Sequence, residues 1–252
     1  HPNSPVIMEP IFAIDMHVRA LPTARLGAMA GIMRATHLDQ AILASLCREN
    51  DMYHVRQRCA ILVSRMALTM PPPTFHDMVR ATTRWPDLCR CLISTSVMLT
   101  HARSRKLVAL GLAHILRHAS AEDTGLLSAV PDMIGLWTEV LGEVVEDEAG
   151  SADRYEREMS PTRALEIGED GIPFLDEFGL IETASTPSSA RTDAVRKRDP
   201  AFTVPLRAYV ADTLNTVLQD GSHKTELQSL LATIDPLVLD TLQRGLSERP
   251  AA

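Results

Sequence analysis

Aromatic residues are scarce: Phe, Trp and Tyr make up 4% of the 252 residues. Without them the core must be aliphatic, drawn here from Leu, Ala, Val, Ile and Met. That palette suits packed helices better than strands, which favour aromatic and β-branched residues. Long apolar runs are also missing. The longest uncharged run, Cys91 to Ala102, contains Ser, Thr and His and falls short of the ~18 apolar residues that a membrane-spanning helix needs. No basic stretch followed by an apolar one opens the chain, so no secretory leader is visible. The chain opens on His1 rather than Met, which reads as a piece of a longer protein.

Cysteine is sparse as well. Cys47, Cys59, Cys89 and Cys91 sit inside apolar helical patterns and form no disulfide framework, so a reducing compartment is expected. Hydrophobic residues at 45% and charged residues at 23% exclude a disordered or collagen-like chain. The phosphate-binding, dinucleotide, zinc-protease and nucleophile-elbow signatures are all absent from the sequence. The expectation is therefore a non-enzymatic chain with no cofactor and no metal.

The net charge of −7 is unevenly distributed. Residues 139–184 carry 14 acidic and 3 basic residues, net −11, which leaves +4 for the rest. Such a block attracts basic partners and repels nucleic acid.

Helical periodicity runs through most of the chain. Helices are expected from Val6 to Ala20, Thr23 to Ala35, His37 to Arg48 and Met52 to Met70, the last ended by Pro71, Pro72 and Pro73. Further helices are expected from Thr74 to Thr83, Asp87 to Thr100, Arg105 to Ala119, and Leu126 to Glu148. The segment Arg105–Ala119 is apolar nearly all round, so Leu107, Leu110, Leu112 and Ile115 should lie on an inner, buried helix. The expected fold is all-α, a HEAT-type α-solenoid of antiparallel helix pairs repeating every ~40–47 residues. An irregular α-bundle is the alternative.

Residues 1–148 then form the repeats. Residues 149–201 read as an acidic linker containing Pro, Ser and Thr, in which only Ile172–Ile181 is apolar enough to dock. Residues 202–252 hold the last helices, read as Phe202 to Leu218, Thr225 to Ala232 and Pro236 to Leu246.

Candidate partner-binding residues fall in two groups. Glu143, Glu146, Asp147 and Glu148 crowd a helix C-terminus, where the macrodipole disfavours them, so they mark either a contact surface or a solvated acidic end. Arg103, Arg105 and Lys106 open the inner helix; they contact an acidic partner or this chain's own acids, or sit in a solvated loop. His114 and His118 share a helix face at a metal-binding spacing without a visible third ligand. Cys89 and Cys91 read as small core residues.

Two segments carry a family resemblance. Ala102-Arg-Ser-Arg-Lys-Leu-Val-Ala-Leu-Gly-Leu-Ala-His-Ile-Leu116, followed by Met133-Ile134-Gly135-Leu136-Trp137 and an acidic stretch, resembles a helix pair near the end of importins and exportins. Val195-Arg-Lys-Arg-Asp-Pro-Ala-Phe-Thr-Val-Pro-Leu-Arg207 is similar to the element that opens the last repeat of the importin-eleven-type branch, and Ile234–Leu246 resembles that branch's terminus. The resemblance implies the C-terminal region of an importin-beta superfamily nuclear transport receptor. It further implies protein cargo, basic nuclear proteins among them, and contact with nuclear pore proteins. Ran GTPase would be bound through N-terminal repeats that precede this region. It implies residence in nucleus, cytoplasm and nuclear pore, with no direct nucleic-acid contact and no membrane insertion. A helical-repeat scaffold without a transport role is the alternative.

Overall fold

A computed structural model describes residues 4–21, 23–48, 53–120, 122–123, 125–143, 199–219 and 224–247. Among the described residues there is no strand. The helices are α1 (Ser4–Ala20), α2 (Thr23–Ala35), α3 (Leu38–Cys47), α4 (Tyr53–Thr69), α5 (Pro72–Arg80), α6 (Trp85–Ser96) and α7 (Ala102–Arg117). A 3₁₀ turn at Leu126–Ala129 leads into α8 (130–143). After the undescribed stretch come the short α9 (Pro200–Thr203), then α10 (Leu206–Gln219), α11 (Lys224–Leu231) and α12 (Pro236–Ser247).

The packing follows a step of three helices. Helix α1 packs on α4, α4 on α7 and α7 on α10; α2 packs on α5, and α3 on α6. The starting residues repeat this step, since Ser4, Tyr53 and Ala102 are 49 residues apart in turn. The described helices thus form the expected helical-repeat solenoid, with its stacking advancing by three helices. Periodicity finds the helices, but nothing in a short middle helix's own pattern says which neighbour it stacks on.

Helix α7 lies at the centre of this stack. Its Leu107, Leu110, Leu112 and Ile115 are each 0% exposed, and each buried side chain of this size contributes roughly 1.5–3 kcal/mol. Close approach of α4 and α7 requires small residues at the crossing. A Cβ on Gly111 would lie 2.9 Å from Ser64 Cβ and 3.0 Å from Ser64 Cα. The buried Ser64 hydroxyl has no hydrogen-bond partner among the described residues, so this position is filled for its size. Trp137 of α8 closes the other side, its Nε1 donating to the Ala109 carbonyl at 3.0 Å.

Prolines account for most boundary corrections. Helix α5 begins inside the triple proline rather than after it, because its first positions need no N–H. Helix α6 likewise starts at Trp85 with Pro86 in its first turn. Pro131 falls at the start of α8, with the preceding turn wound as 3₁₀. The single helix expected from Phe202 to Leu218 is two helices, broken around Pro205, and the first starts at Pro200. The expectations for 149–198, including the Ile172–Ile181 island, fall outside the described residues.

Candidate functional site

Three polar clusters decorate this stack. The most buried cluster joins distant parts of the chain. Asp15 and Arg19 are one turn apart on α1, and Arg19 Nη2 donates to Asp15 Oδ2 at 2.7 Å. Arg65, in the middle of the apolar α4, donates to Asp15 and reaches Asp199 Oδ2 at 3.0 Å. Arg19 Nε stands 3.8 Å from the same Asp199 oxygen. Asp199 is also the N-cap of α9, its Oδ1 accepting from the Ala201 N–H at 3.0 Å. Two guanidinium groups and two carboxylates therefore share one buried, charge-balanced site in which every side chain is at most 10% exposed. Burial, and then the neighbouring Arg65, pull the Arg19 pKa down, while Asp15 and Asp199 oppose them. Balance matters here, because removing one member would leave an unpaired charge in the interior.

The second cluster centres on Asp123, which follows α7. Its carboxylate accepts from Trp85 Nε1 at 2.7 Å, Arg80 Nε at 2.8 Å, His76 Nδ1 at 3.0 Å and the Ser120 N–H at 2.7 Å. Burial alone would raise its pKa, but the donors Arg80, Ser120 and His76 outweigh it and hold the carboxyl well below the usual range. This one residue ties α5 and α6 to the end of α7.

The third cluster caps the outer end of α7. His114 Nδ1 and the Tyr209 hydroxyl of α10 share a hydrogen bond of 2.5 Å, and their rings lie 9° from parallel. Arg117 pairs with Asp212 and sits 5.7 Å from the centre of the Tyr209 ring. Burial, aided by the neighbouring His118, pushes the His114 pKa down to about 4, so His114 is neutral at pH 7. The His114 and His118 rings are 4.4 Å apart. Among the described residues no three His, Cys, Asp or Glu side chains converge as metal ligands.

The candidate contact residues separate on this frame. Arg105 is turned inward, pairing with Glu139 at 2.7 Å and also with Glu143. Glu143 is thereby held by this chain's own α7, and its place near a helix end is offset by a cation. Arg103 lies over the Phe202 ring, 4.9 Å from its centre. Lys106 is buried at 8% exposure. Glu146, Asp147 and Glu148 fall outside the described residues, so the two groups meet at Arg105 and Glu143.

Sequence reasoning overlooked the clusters at Asp199 and Asp123, and of the third it marked only His114 and His118. Readable signals existed for one of them. Asp15 and Arg19 have the i, i+4 spacing of a helical ion pair, Arg65 interrupts an apolar face, and Asp199-Pro200 is an N-cap followed by a first-turn proline. The Asp123 cluster left no such trace, since its members span residues 76–123 without a pattern. Cys89 is buried as expected of a small core residue, whereas Cys91 is only half-buried.

A family model described as importin-11-like, TPR repeats matches residues 10–247. No curated protein and no solved structure matches the chain. The match begins within α1 and ends at the last residue of α12, so it takes in both halves of the helical stack. The chain therefore belongs to the importin-11-like helical-repeat family, a region of the importin-beta type.

Proposed function

We propose that this chain is the protein-binding C-terminal portion of a Ran-dependent nuclear import receptor, which carries protein cargo through the nuclear pore. The observation that supports this most is the family match across residues 10–247. The architecture suits the role, since stacked helical units offer an extended surface for another protein. The strongest buried polar groups, around Asp199 and Asp123, are engaged in joining helices, which supports binding rather than catalysis. Among the described residues no helix is long and apolar enough to cross a membrane.

Recognition is assigned to the acidic block at 139–184, with its net −11, and the cargo to basic nuclear proteins. Glu146, Asp147 and Glu148 are its contact candidates beyond α8, whereas Glu143 serves Arg105. In this reading Ran-GTP acts through the receptor's N-terminal repeats, nuclear pore proteins are met in transit, and the receptor shuttles between cytoplasm and nucleus. The test is import of a labelled basic protein into permeabilised cells supplied with Ran and energy. A receptor carrying this region should concentrate the protein in nuclei, and deleting residues 10–247 should abolish that. Equal import with and without the region would leave it a scaffold.

A further inference from the structure

Ile32, Tyr53, Val97, Met98 and Leu237 are large apolar residues exposed on the described surface. Three of them meet at one edge of the stack. Gln57, one turn after Tyr53 on α4, donates from Nε2 to the Met98 carbonyl at 2.5 Å. That bond seats the 97–101 loop, which joins α6 to α7, beside the start of α4. Tyr53, Val97 and Met98 are 55%, 71% and 42% exposed. Single exposed apolar residues are ordinary, but three on adjoining elements mark a contact surface.

This edge is basic. Residues 53–58 and 97–106 hold Arg56, Arg58, Arg103, Arg105 and Lys106 and no Asp or Glu. Glu139 and Glu143 of α8 pair with Arg105, and the local charge stays positive. Both ends of the stretch 144–198 also open here. Helix α8 ends at Glu143, which sits on Arg105 in the first turn of α7. The described chain resumes at Asp199, and Phe202, three residues on, lies under Arg103 of that same turn, 4.9 Å from ring centre to guanidinium.

We propose that the edge formed by Tyr53, Val97 and Met98 is a docking surface for this chain's own segment Ile172–Ile181. That segment sets Phe174, Leu175, Phe178 and Leu180 among Glu169, Asp170, Asp176 and Glu177, with no basic residue from 169 to 181. Its apolar side chains match the patch, and its four acids match the cations around it. Reach is ample. The 28 residues 144–171 span up to about 90 Å and the 17 residues 182–198 up to about 55 Å. Tethering at both ends makes the docking intramolecular, so effective concentration favours it over the same segment from another copy. Docking covers the exposed patch and lays the acidic block against the start of α7. It is a property of the chain by itself and does not rest on the transport reading.

The full chain, carrying photo-reactive benzoylphenylalanine in place of Val97, tests this when it is irradiated, digested and mapped by mass spectrometry. Val97 is the most exposed of the three, so the core is left untouched. Cross-links should join position 97 to peptides covering 172–181, in species of monomer mass. Amide exchange supplies a second readout without the label. Exchange at 97–101 should be about tenfold or more slower in wild type than in the combined Phe174→Ala and Phe178→Ala variant, at equal helical content. A synthetic peptide of residues 169–182 should bind that variant about tenfold or more tighter than wild type, whose surface is already filled. Cross-links confined to species of dimer mass would assign the surface to a second copy. Cross-links elsewhere, or none, would leave it without this occupant. Each of these results overturns the proposal, as does equal exchange at 97–101 in the two chains.

Discussion

Replacing Gly111 with Ala adds one methyl group at the tightest point of the stack. The new Cβ would sit 2.9 Å from Ser64 Cβ, 3.0 Å from Ser64 Cα and 3.2 Å from the Ser64 carbonyl oxygen. Carbon atoms pack at about 3.5–4.0 Å, so α4 and α7 must part by roughly half an ångström. Two of the three neighbours are backbone, and no rotamer change can move them. A radial gap of ~0.5–1 Å forfeits a quarter to a half of each dispersion contact along the seam, and overpacking of this kind costs about 1–3 kcal/mol. Greater helix propensity returns about 1 kcal/mol. Because the clash is with backbone, the upper part of the range applies and the net loss is about 2 kcal/mol. Gly135 in α8 provides the control, since a Cβ there meets nothing within 4 Å. Gly135→Ala should gain about 0.5–1 kcal/mol from propensity alone. Urea unfolding followed by circular dichroism should thus separate two chemically identical substitutions by about 2–3 kcal/mol, with opposite signs. Ser64→Gly should rescue Gly111→Ala only in part, because the Cα and carbonyl contacts remain. Equal midpoints for the two alanine variants would refute the close α4–α7 crossing and the three-helix stacking built on it.

Two further predictions concern the buried polar groups. Asp199→Asn keeps a good N-cap but leaves Arg19 and Arg65 sharing a single carboxylate, and should cost about 3 kcal/mol in chemical denaturation; a change below about 1 kcal/mol would mean that the cluster does not join α9 to α1 and α4. His114 titrates near 4 in the folded chain against 6.5 ordinarily, so protonation favours unfolding: the stability it supports is complete above pH 6.5 and falls as the pH drops toward 4, with a slope of up to about 1.4 kcal/mol per pH unit. His114→Gln should flatten the pH 4–6.5 limb relative to wild type, and superimposable slopes would contradict its burial as a neutral ring.

Where the sequence was legible, burial explains why. Helix α2 has the bounds read from its pattern, Thr23–Ala35, and the four marked residues of α7 are fully buried. In both cases local signals and tertiary packing agree. Legibility failed where the deciding partner was remote. Which helix α5 stacks on and what Arg65 pairs with both depend on segments tens of residues away. Prolines misled for a different reason. The triple proline at 71–73 reads as a stop, but Pro72 opens α5, and Pro86 and Pro131 likewise sit in first turns that need no N–H. Of the candidate site, the Arg105 link to the acidic block was among the readings offered, and its geometry pairs the part-exposed Glu143 with this chain's own α7.

The transport account stands or falls on the acidic block, and one measurement addresses it directly. Association of the chain with a Lys- and Arg-rich nuclear protein is followed by stopped flow across a salt series, for wild type and for the combined Glu146→Gln, Asp147→Asn and Glu148→Gln variant. Exposed charges act over ~8 Å at physiological salt and mainly on encounter. The variant should therefore associate about three- to tenfold more slowly at low salt, with little change in dissociation, and the difference should vanish near about 0.5 M salt. Tighter binding by the variant, or no binding by the folded wild type at any salt, would contradict the assignment of this region to basic cargo.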